Sequence, residues 1–146
     1  MVVQSDCPFC AIVEHADPDV REVYRDEESV AFFPTEPAVL GHTLVIPRRH
    51  VPVIWELSED EAQHLGLLIS RMSRVIVETV DAEGLNVIQS NGETATQSVP
   101  HVHFHLVPRW SDDSIGRIWP PETNYSEHAK DKTWDALRDA CGEIHL

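Results

Sequence analysis

Between His101 and Arg109 the chain reads His-Val-His-Phe-His-Leu-Val-Pro-Arg, and this alternation restricts the fold more than any other stretch. Side chains two residues apart on an extended backbone share a face. The spacing predicts a strand over residues 100–107, with His101, His103 and His105 on one side and Val102, Phe104 and Leu106 on the other. The apolar set asks for a core beneath a sheet. The imidazoles gain little from packing, since a buried histidine needs partners and a solvated one adds little stability. A row of them backed by an apolar face is the arrangement of a chemical site.

The remaining pattern supplies a layer to cover that sheet. Ser58 followed by Glu61 is a capping-box signature. Ala62, Leu65, Leu68, Ile69, Met72, Val75, Ile76 and Val80 then recur at helical spacing, and Gly84 offers a stop. Strands are expected at residues 29–33, 42–46 and 85–90, with an edge strand at 22–25. Residues 91–99 form a polar loop that delivers the chain into the histidine strand. Trp119-Pro-Pro121 reads as rigid and extended, and residues 131–141 as a short terminal helix with Trp134 and Leu137 on one side. The sum is an α+β fold: an antiparallel sheet with one long helix and shorter ones. A main domain over residues 1–110 is expected to carry residues 111–146 as an extension packed on it.

A net charge of −14 is at odds with an extended nucleic-acid surface, which is built from clustered Lys and Arg. Arg48, Arg49 and Arg109 instead fall near the histidine-bearing segments, a local basic patch suited to a small anionic substrate. No apolar run approaches the roughly 18 residues of a membrane span, and Met1 to Cys7 lack the pattern of a secretion signal. The expectation is a cytoplasmic protein with no membrane or nucleic-acid partner.

Chemistry concentrates in two groups. Cys7-Pro-Phe-Cys10 places two thiols at metal-binding spacing, with His50 and His101 as candidate further ligands. The same cysteines also read as a reduced pair or a redox pair. His103 and His105 can act as nucleophile and helper, because neutral imidazole attacks phosphorus and titrates near neutrality. Alternatively, a His-x-His pair with a third His binds a catalytic zinc carrying water. Donors in the preceding loop, among them Asn91, Gln97 and Ser98, suit phosphoryl oxygens.

His101-Val-His-Phe-His-Leu-Val107 resembles the signature of the histidine triad (HIT) family. Gly41-His-Thr-Leu-Val-Ile-Pro47 with Arg48-Arg-His50, the loop Asn91 to Val99, and Cys7-Pro-Phe-Cys10 resemble further motifs of that family, in the same order. The resemblance implies a hydrolase or nucleotidyl transferase cleaving a phosphoanhydride or phosphoramidate bond at the α-phosphate of a nucleoside, adenosine by preference. His103 would carry a nucleotidyl–imidazole intermediate, His105 would hydrogen-bond the phosphate, and Ser98 would assist the leaving group. Asn91, Gln97, His42, Phe32 and Glu36 would contact substrate. Cys7, Cys10, His50 and His101 would hold a structural zinc, and the protein would be a homodimer paired through the long helix and a strand.

Two positions depart from the family pattern. Pro34 stands where a ribose-binding Asp or Asn is usual, leaving Glu36 as the candidate replacement. Ala95-Thr96-Gln97 stands where Ala-Gly-Gln is usual. Two other readings compete: a non-catalytic nucleotide- or partner-binding module on the same fold, and the zinc hydrolase.

Overall fold

The computed structural model describes residues 6–146, so Met1 to Ser5, part of the stretch scanned for a leader, lie outside the described residues. The chain divides into two compact units, Met1–Ser114 and Ile115–Leu146. In the first, α1 (Pro8–Val13) precedes β1 (Arg21–Arg25), β2 (Ser29–Phe33) and β3 (Thr43–Pro47). Then come α2 (Glu59–Val80), β4 (Gly84–Gln89) and β5 (Phe104–Arg109). The strands form one antiparallel sheet in the order β1-β2-β3-β5-β4.

Both faces of the central strands are covered, which is why β2 and β3 read as nearly continuous apolar runs. Val30, Phe32, Leu44 and Ile46 pack with Phe9, Ile12 and Val13 on the α1 side. Ala31, Val45 and Leu106 pack with Leu65, Leu68, Met72 and Ile76 of α2 on the other. The spacing of those helical residues is the stripe seen in the sequence, and the capping box is formed: Glu61 N–H donates to Ser58 Oγ at 3.1 Å and Ser58 N–H to Glu61 Oε1 at 2.9 Å.

Four boundaries differ from expectation. Asp81, not Gly84, takes the left-handed cap of α2 (φ 52°), and Gly84 opens β4. The histidine strand begins at Phe104, so His105 sits in the ladder while His101 and His103 precede it. The turn of helix at α1 has no sequence periodicity to announce it. In the second unit, α3 (Glu127–Cys141) starts four residues earlier than the apolar pattern, because Ser126 Oγ accepts from Ala129 N–H. Trp134 and Leu137 are exposed, with the Arg138 guanidinium 4.9 Å from the Trp134 ring.

Candidate active site and metal centre

The α1-facing side of the sheet carries all three imidazoles of the motif. Val102 and Leu106, their opposites, are fully buried, so the expected division of faces is realised. His103 Nδ1–H donates to the His101 carbonyl at 2.8 Å. In the neutral ring this leaves Nε2 with a free lone pair. A second chain of bonds assigns His105. Ala38 N–H donates to His42 Nδ1 at 3.0 Å, so neutral His42 holds its proton on Nε2. That proton is donated to His105 Nδ1 at 2.9 Å, which places the His105 proton on its own Nε2. The pair thus presents one bare nitrogen and one N–H. Their rings stand 5.0 Å apart.

Burial keeps these rings neutral. Desolvation pushes His105 down to about 4, helped by the neighbouring His103 and His42. It lowers His103, against the opposing hydrogen bond to the His101 carbonyl, and lowers His42. His42 follows Gly41, whose φ of 98° strains any L side chain and where a Cβ would crowd Pro108 and Val80 at 3.1 and 3.3 Å.

His103 and His105 open onto a cleft of about 560 Å³ with Ser98 on its wall. Its apolar floor is Phe9, Ile12, Phe32 and Leu44, and its polar contributors are Asp17, Asp19, Arg21 and Thr35. Of the residues expected to meet substrate, Ser98 and Phe32 line this cleft. Asn91 and Gln97 are not among the lining residues, and their amides are used to build the loop. Asn91 Oδ1 accepts from Ile54 N–H at 2.7 Å, and Gln97 bridges Gly92 N–H and the Pro52 carbonyl, each at 2.7 Å. Glu36 is exposed and outside the lining, beside Pro34 and Thr35, which belong to it.

The basic patch is also differently employed. Arg49 pairs with Glu61 at 2.6 Å, Arg109 with Asp113 at 2.7 Å, and Arg48 reaches the Asp26 carbonyl at 3.3 Å. None of these lines the cleft; Arg21 does. Sequence reasoning missed Phe9, Ile12, Asp17, Asp19 and Arg21. The aromatic between the two cysteines was the one local signal. Thr96 adopts φ 69°, the left-handed conformation that a glycine would take without strain.

On the far side of Phe9, one ligand atom each from Cys7, Cys10, His50 and His101 lie within 4.8 Å of one another. His101 Nε2–H donates to the Pro47 carbonyl at 2.8 Å, which turns the Nδ1 lone pair toward the two sulfurs, 3.6 and 3.7 Å away. His50 Nδ1 is 3.3 Å from Cys10 Sγ. Zinc bonds of about 2.3 Å to sulfur and about 2.0–2.1 Å to nitrogen give a tetrahedral S–N edge of roughly 3.5 Å. The group therefore fits a metal with two thiolates, two imidazoles and a hydrogen-bonded outer partner. His103 and His105 take no part in it.

The family model described as HIT domain matches residues 16–112, about two thirds of the chain. The chain belongs to the HIT family. It is 36% identical over 115 residues to the adenosine 5′-monophosphoramidase hnt1 of Schizosaccharomyces pombe, covering 78% of this chain and 83% of that one. A crystal structure of a HIT family member from Bacillus subtilis superimposes with a TM-score of 0.84 at 29% identity, covering 97% of this chain and 99% of that one. A zinc-bound histidine triad protein from Mycobacterium smegmatis gives a TM-score of 0.71 at 29% identity, covering 92% and 97%. These relatives support a nucleotide hydrolase in general terms, on the α+β fold expected from the sequence.

Proposed function

We propose that this HIT protein hydrolyses a bond at the α-phosphorus of a purine nucleoside monophosphate derivative, with a covalent intermediate on His103. The observation that carries the reading is the pair of fixed tautomers: His103 offers a lone pair at Nε2, and His105 beside it offers an N–H. His103 Nε2 attacks phosphorus, forming an N–P bond as the P–N or P–O bond to the leaving group breaks. His105 Nε2–H holds the charge developing on a phosphoryl oxygen. Ser98, exposed at the cleft wall, relays a proton from water to the departing atom. A second water then attacks phosphorus and the N–P bond breaks; the proton this water sheds neutralises the hydroxide left by the first, and His103 is regenerated as the nucleoside monophosphate is released.

The apolar floor of Phe9, Ile12, Phe32 and Leu44 receives the base. With Pro34 unable to bind ribose, Asp17 and Asp19 are the carboxylates in the cleft, and they take over from Glu36 as acceptors for its hydroxyls. The name of the fission-yeast relative favours an adenosine phosphoramidate. We assign structural zinc to Cys7, Cys10, His50 and His101; a site closed by four protein ligands supplies folding energy and no reacting water. Separation of that centre from His103 and His105 disfavours the zinc-hydrolase reading. We place the protein in the cytoplasm, whose reducing conditions would keep Cys7 and Cys10 as the thiols that the metal needs. Among the described residues, strand β4 pairs only with β5, and it carries no charged residue, so its outer edge is our candidate for a homodimer contact.

The test is single-turnover labelling with a ³²P-adenosine phosphoramidate. The wild-type protein traps label on His103, and His103→Ala traps none while remaining folded. Full hydrolysis by His103→Ala would end the proposal; binding without turnover by the wild type would make the protein a nucleotide-binding module.

A further inference from the structure

We infer that Phe9 is a positioning residue, linking the Cys7–Cys10–His50–His101 centre to the ring of His103. The inference rests on the reading of His103 as nucleophile. Phe9 stands between the two thiols on α1, a helix of six residues. So short a helix has no stability of its own. Its C-terminal end is held by Arg25, whose guanidinium donates to the Ile12 and Val13 carbonyls at 3.0 Å each. Its N-terminal end is held where Cys7 and Cys10 meet the two imidazoles.

From that position the Phe9 ring touches three others. It lies 5.1 Å from the His103 ring at 80°, 5.9 Å from His101 at 77°, and 5.5 Å from Phe32 at 67°. The bond to the His101 carbonyl fixes one atom of His103, but it leaves the ring free to swing about that atom. Phe9 blocks the swing. Both restraints thus lead back to the same four-residue group, one through the His101 backbone and one through the cysteine-bearing helix. His105 is tied instead to His42 and Ala38. Disturbing the cysteine centre therefore moves the nucleophile relative to its partner. The step that suffers is bond formation to phosphorus, since a misplacement of about 1 Å costs roughly 10²-fold in rate.

The experiment measures the single-turnover rate of adduct formation and KM with an adenosine phosphoramidate. It compares wild type, Phe9→Leu and Phe9→Tyr, each zinc-loaded and after chelation, with folding followed by circular dichroism. Phe9→Leu is expected to lower the chemical rate about tenfold or more with KM within about threefold, and Phe9→Tyr to retain the rate. Chelation should slow the wild type by a larger factor than it slows the Leu variant, because one of the two links to the centre is already cut in that variant. Full chemical rate in Phe9→Leu overturns the inference, and so does an equal proportional loss on chelation in wild type and variant. If chelated protein unfolds, the zinc-loaded Phe9 series decides. A wild type that forms no His103 adduct removes the catalytic reading and this inference with it, an outcome distinct from an adduct that forms at full rate without Phe9.

Discussion

Replacing Thr96 by Gly should stabilise the protein, although the change deletes a side chain and a hydrogen bond. Thr96 sits at φ 69°, ψ 24°. A left-handed conformation costs an L-residue roughly 1–2 kcal/mol through the clash of Cβ with the following carbonyl. Glycine avoids this, but its freer unfolded chain returns about 0.5–1 kcal/mol. The bond lost, from Thr96 Oγ1 to the Ala95 carbonyl at 2.6 Å, is solvent-exposed and contributes little. The balance is about 0.5–1 kcal/mol in favour of Thr96→Gly, a rise of about 1–4 °C in Tm for a chain of this size. Thr96→Ala is the control: it removes the hydroxyl but keeps Cβ, so it should gain nothing. Urea unfolding of the three proteins at one pH gives the comparison. Destabilisation of the glycine variant, or equal gains from glycine and alanine, would refute the assignment of strain to the backbone.

Two further outcomes follow from the site and the sheet. His105 is held near 4, so between pH 6.5 and 4 the unfolded chain takes up a proton that the folded one refuses. This group's contribution to stability is accordingly full above 6.5 and lost as pH falls toward 4. NMR titration of the ring near its ordinary 6.5 would contradict it, as would activity halving there. At the outer edge of the sheet, Val87 is 49% exposed. Val87→Lys should turn a dimer into a monomer by light scattering with the hydrolytic site intact; a monomeric wild type would dismiss the edge contact.

How far the sequence could be read depended on how local each cause was. α2 was legible because its cap and its apolar stripe lie within one continuous stretch. The histidine face was legible because alternation survives even where the ladder does not reach, at His101 and His103. α1 was not, since its N-cap is Cys7, a residue that draws attention as a metal ligand, and six residues carry no period. Asn91 and Gln97 show their donors in the sequence but not the recipients: Ile54, Gly92 and Pro52 become neighbours only through folding. The cleft's far wall, Asp17 to Arg21, is brought beside Phe32 by the pairing of β1 with β2, which no window of sequence displays. Arg49 looked free for substrate until Glu61, the capping residue of α2, was found to hold it.

The bond from Ala38 to His42 has a consequence for proton traffic. A main-chain amide keeps its hydrogen at any pH this protein survives, so the line from Ala38 through His42 to His105 ends in a dead stop and conducts nothing. Were His105 to surrender its hydrogen, no donor behind it could replace it, and an imidazolate would be left in a partly buried site. His105 can lend a hydrogen bond but not a proton. Each turnover must then draw its acid from the solvent at the mouth of the cleft, and departing groups that leave well as anions should be released with the least dependence on that supply.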